Sequence, residues 1–66
     1  MIKYSCTMVS GEDIFYATLI AETPRQAKEM AAAETRKGRW RDWTATVLEA
    51  DAAGPARFIG AGATDA

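Results

Sequence analysis

The stretch TPRQAKEMAAAETRKG, residues 23–38, decides how this chain folds. Thr23 is a good N-cap, because its hydroxyl can accept an early unpaired N–H. Pro24 suits the first helical position, where no donor is needed, and Gln26 completes a Thr-x-x-Gln capping box. The alanines at 27, 31, 32 and 33 and the scarcity of β-branched residues favour a helix. Arg36 and Lys37 complement the negative end of the helix dipole, and Gly38 is placed to adopt the left-handed conformation just past the last turn. The pattern predicts a helix over 24–37. Its stripe of Ala27, Met30, Ala31 and the stem of Glu34 would lie on whatever flanks it.

What flanks it reads as strands. Upstream, IKYSCTMV (2–9) alternates with period two: Ile2, Tyr4, Cys6 and Met8 share one face, Lys3, Ser5 and Thr7 the other. SGED (10–13) is a turn, so IFYATLIAE (14–22) returns as the second arm of an antiparallel hairpin. This arm is apolar on both sides. Phe15, Ala17, Leu19 and Ala21 form the side with small residues, which lets a helix approach. Ile14, Tyr16, Thr18 and Ile20 then point outward, and Ile14, Tyr16 and Ile20 make a candidate partner patch. Downstream, DWTATVLEA (42–50) is a third strand, with Trp43, Ala45 and Val47 on its inner side. DAAGPA (51–56) is a turn and RFIG (57–60) a short fourth strand at an edge. The expected fold is α+β, in the order β-β-α-β(-β): a small antiparallel sheet, strand 1 central with strand 3 beside it, and one helix packed on one face. Residues 1–60 form a single domain, and the small, polar AGATDA (61–66) is expected to be a disordered C-terminal tail.

The totals restrict the function classes. Sixty-six residues bury a smaller share of their surface than a larger domain does, so the stability margin is thin. The net charge of −1 makes the chain neither globally basic nor an acidic mimic of DNA, so a nucleic-acid contact would have to be local. The single cysteine, Cys6, cannot form an internal disulfide and fits the alternation as a small core hydrophobe; it points to a reducing, cytoplasmic setting. Histidine is absent, which removes the usual general base and the commonest zinc ligand. The acidic residues are scattered, without the spacing of a metal cage or an acid/base couple. No catalytic residues, metal or cofactor are expected. No apolar run reaches the roughly 20 residues that span a bilayer, and no secretory leader is expected.

One segment stands out. RKGRWRDW (36–43) holds Arg36, Lys37, Arg39 and Arg41 together with both tryptophans. Part of it is explained by folding: Arg36 and Lys37 finish the helix, Gly38 caps it, and Trp43 falls in register with the core side of strand 3. Trp40, between two arginines in a loop, is not so explained. Tryptophan and arginine are enriched at binding hot spots, and a cation-flanked indole also suits stacking on an exposed base.

The segment IAETPRQAKEMAAAE followed by WTATVLEA, within residues 17–50, resembles small phage-encoded anti-CRISPR proteins of ββαβ layout that inhibit type I systems. Gln26, Ala27, Lys28 and Ala31 match by position in the helix. The resemblance implies binding to the backbone subunits of a crRNA-guided surveillance complex, blocking target DNA, with Lys28 taking part. The Trp-Arg loop after Gly38 has no counterpart in that pattern. The sequence thus points to a small non-catalytic protein-binding inhibitor. Trp40 would anchor it, and Arg39, Arg41, Lys37, Arg36, Lys28 and Arg25 would steer it, with Tyr16 and Ile20 on a second surface. The alternatives are a nucleic-acid-binding module using the 36–43 loop and a self-associating, homodimeric structural domain.

Overall fold

The hairpin is the organising unit. In the computed structural model, which describes residues 1–65, β1 (Ile2–Ser10) and β2 (Asp13–Ala21) pair antiparallel along their whole length, from Ile2 opposite Ala21 to Ser10 opposite Asp13. The two-residue connection starts with Gly11 at φ +61°, the conformation that matches a tight turn to the twist of the strands. Helix α1 (Pro24–Thr35) follows, then a 3₁₀ turn (Trp40–Asp42), β3 (Thr44–Glu49) and β4 (Arg57–Asp65). The sheet order is β3-β1-β2-β4, antiparallel throughout, so the expected β-β-α-β-β arrangement with β1 internal is what forms.

The start of α1 is as its residues dictate. Thr23 Oγ1 accepts from the Gln26 N–H at 3.1 Å. The Gln26 side chain accepts from the Glu22 N–H at 2.7 Å, one residue earlier than a standard capping box. The end differs from expectation. The helix stops at Thr35, and Arg36 takes the left-handed conformation (φ 57°, ψ 34°) in place of Gly38. Gly38 is also left-handed, at φ +64°, but serves a tighter need: a Cβ there would lie 2.6 Å from the Met8 sulfur. Two left-handed residues in quick succession turn the chain back onto the sheet, and only glycine fits where it crosses Met8.

The core lies between α1 and the inner sheet face. Tyr4, Cys6, Met8, Ala17, Leu19, Ala21 and Trp43 close on Ala27 and Ala31, with Phe15, Met30, Ala45 and Phe58 packed around them. Ala27 and Ala31 bring the helix close to Ala17 and Ala21. The gap left beside them takes the indole of Trp43, 2 % exposed, whose Nε1–H donates to the Lys37 carbonyl at 2.9 Å. Val47, expected on the inner side, is 53 % exposed, because β3 is an edge strand that the helix leaves uncovered there.

Two further expectations are corrected. Residues 61–65 are not a frayed tail. β4 runs to Asp65, and Ala61 and Ala63 pair with Ala17 and Phe15; Ala66 lies outside the described residues. The long uncovered edge of β2 offers a ladder that small residues can join as readily as large ones, because the bonds come from backbone. Ile20 is not on an open patch. It points away from the helix, as expected, yet is only 3 % exposed. The link from β3 to β4 must pass from one edge of the sheet to the other, and it does so around this end: Ala52 is buried and donates its N–H to the Met1 carbonyl. Arg57, opposite Ile20 in register, folds its guanidinium onto the carbonyls of Ala53 and Pro55. That closes the outer face over Ile20.

Candidate functional site

The residues singled out in the sequence separate into three places. The first is the outer flank of α1. Arg39 N–H donates to the Asp42 carboxylate at 2.8 Å and the Asp42 N–H returns to the Arg39 carbonyl, so the 3₁₀ turn is locked by its own ends. That lock aims Trp40 back toward the helix instead of into solvent. The indole is half-buried, and the Arg25 guanidinium, one of the first helical residues, stacks over the ring at 4.4 Å from its centre. Arg25 is itself held by Glu29 at 3.2 Å, one helical turn on. Glu29, Ala32, Ala33, Gly38, Arg39, Trp40 and Arg41 line a shallow depression here. The alanines are what admit the indole, since larger side chains at 32 and 33 would lift it off the helix. Arg39 and Arg41 are exposed on either side.

The second place is a groove on the other flank of the same helix. Its floor is Phe15, Phe58, Ala61 and Ala63, its rim Glu34, Thr35 and Lys37. Lys37 leaves the tryptophan altogether and places its ammonium 4.7 Å over the Phe15 ring. Thr35 donates its hydroxyl to the Ala31 carbonyl at 2.6 Å, so it can meet a guest only as an acceptor. This groove is not legible in the sequence, because its walls come from β2, α1 and β4. A run of small residues before the C-terminus was the only available hint.

The third place is the sheet face away from the helix. Tyr16 is exposed there, its ring lying flat over Gly62 of β4, where a Cβ would come within 2.8 Å of the phenol. Val9 is 69 % exposed and opposite Ile14. Ile20 is withdrawn from this surface, as described, so the expected Ile14–Tyr16–Ile20 patch is reduced to its hairpin end. Arg36 is exposed at the helix C-cap. Lys28 is half-buried, close enough to Cys6 to act on its thiol electrostatically. Burial pushes the Cys6 thiol above its ordinary range, and the Lys28 ammonium opposes this in part, so the sulfur is held as a neutral, enclosed thiol.

Charge follows the same division. Residues 24–43 hold six cations and three acids, a net +3, which leaves −4 for the rest of the chain. The positive excess therefore rides on the helix and the 3₁₀ turn. Among the described residues no cluster of acids and cysteine could hold a metal ion, and no helix is long and apolar enough to cross a membrane. No family model, curated protein or solved structure matches this chain.

Proposed function

We propose that this protein works by stoichiometric binding, as a small inhibitor whose Arg25–Trp40 platform docks onto an acidic macromolecular surface in the cytoplasm. The observation that carries the reading is the indole of Trp40, only partly buried against the helix. It is stacked beneath Arg25 and framed by Arg39 and Arg41, so it is preorganised before any partner arrives. A rigid aromatic with cations around it gives contact area at little entropic cost, and the net +3 of this segment speeds encounter with a negative partner. The resemblance of residues 17–50 to anti-CRISPR proteins gives that partner a candidate identity, a type I crRNA-guided surveillance complex, and implies a part for Lys28 in the contact.

The test uses Arg39→Glu with Arg41→Glu, two exposed positions where charge reversal leaves the fold intact. Wild type should prevent a purified type I surveillance complex from shifting its target DNA on a native gel, and the double variant should need at least about tenfold more protein to do so, about 1.4 kcal/mol. Absence of inhibition by wild type would remove the CRISPR identity. If wild type instead bound a single-stranded oligonucleotide with an affinity falling steeply with salt, the site would be a nucleic-acid interface.

A further inference from the structure

We infer, resting on the platform reading above, that Arg25 sets the specificity of the platform: it takes one carboxylate of a protein partner, an aspartate or glutamate side chain, end-on through its two terminal nitrogens. A guanidinium carries five N–H donors in one plane. It meets a carboxylate by two parallel bonds along the side formed by Nε and one Nη, or along the end formed by Nη1 and Nη2. In this chain the side is taken. Nε donates to the Glu29 carboxylate at 3.2 Å, the one hydrogen bond the Arg25 side chain makes among the described residues. One face is taken as well, lying over the Trp40 ring at 4.4 Å from its centre. The Nη end remains, and with 66 % of the side chain exposed, that end is free to meet a guest.

An unheld surface arginine gives up its rotamer freedom when it binds. Exposed ion pairs are individually weak, but here an ion pair and a ring contact constrain the same guanidinium from two directions, so less freedom is left to lose. Charge then selects the guest. Arg25, Arg39 and Arg41 stand with Glu29 and Asp42 on this flank, three cations against two acids, and the resulting +1 suits a single carboxylate. A run of phosphates would bring several negative charges against Glu29, which lines the depression and cannot leave it without releasing Arg25. Ala32, Ala33 and Trp40 line the same depression and offer apolar surface to the methylene stem of the guest acid.

The probe is a peptide of alternating glutamate and glycine, titrated to millimolar concentration into the intact, isotope-labelled chain and followed by NMR. The Arg25 side-chain and Trp40 indole N–H signals should move together. The Trp43 indole signal, whose N–H is held by the Lys37 carbonyl, should stay still. Arg25→Lys keeps the charge but loses the planar fork, and should bind the peptide at least about tenfold more weakly with an unchanged urea midpoint. A single-stranded oligonucleotide of equal net charge should bind more weakly than the peptide. Absence of peptide binding, an Arg25→Lys variant that binds like wild type, or preference for the oligonucleotide, which would make the guest a phosphate, would each overturn the inference. If wild type and Arg25→Lys blocked a type I surveillance complex equally well, the platform would stand and the role of Arg25 would fall. Peptide binding by a wild type that leaves that complex untouched would keep the carboxylate site and remove only that partner.

Discussion

Trp40 and Trp43 stand three residues apart in one basic segment, and the fold gives them opposite employment. Trp43 sits under α1, 2 % exposed, its N–H satisfied by the Lys37 carbonyl. Trp40 lies on the outside of the same helix, partly buried, beneath Arg25. The helix is thus held between two indoles, one closing the core and one offered to solvent. Side-chain type does not distinguish them. The difference is made by the short turn that reverses the chain between them, together with alanines around the helix: Ala27 and Ala31 within, Ala33 without, and Ala32 partly buried at the flank between them.

The contrast can be broken most severely at Trp43. Trp43→Ala should cost about 3–5 kcal/mol, comparable to the whole stability of a domain this small, and the variant should show no cooperative transition in urea. A folded variant of near-normal midpoint would mean that the indole does not close the core. Ile20→Ala tests the other covered site, on the face where an open patch was expected. It should lower stability by about 2–4 kcal/mol with an unchanged denaturant slope, and a loss of under ~0.5 kcal/mol would show the residue to be solvent-facing.

Trp40→Ala should cost much less, about 1–2 kcal/mol, since it loses part of an aromatic contact with the helix and the Arg25 stack. Equality of the two tryptophan variants in chemical denaturation would erase the distinction drawn here. The smallest effect concerns Cys6. Its folded pKa lies above the unfolded value, so the stability it contributes is fully present below pH 9.0 and is lost as pH rises through the folded pKa. Wild type should therefore weaken at alkaline pH more than Cys6→Ala does. Its thiol should react with an aromatic disulfide reagent only on unfolding, and rapid native-state labelling would contradict the enclosure.

Much of this was legible in the residues. Period-two alternation over 2–9 marked β1 and its inner face, and Thr23, Pro24 and Gln26 marked the helix start, because each signal is carried by neighbours in the chain. The expected site was legible only in part. Trp40, Arg39 and Arg41 do gather, and Arg25 joins them from fifteen positions away. Lys37 departs to Phe15, and Ile20 is closed over by the 50–56 connection. Ile20 and Tyr16 have the same parity in β2 and could not be told apart, since what covers one and not the other is a distant loop. The second half of β4 was missed because Gly60 to Ala63 have no side-chain pattern to read.

By itself, then, the sequence determined which segments become strands or helix and which way their side chains alternate, because periodicity and capping act within a few residues. Tertiary structure alone decided which outward residues stay outward, where the helix ends, and that the last nine strand residues join β2. Those outcomes depend on backbone ladders and on loops crossing between edges, which bring together residues that no local pattern connects.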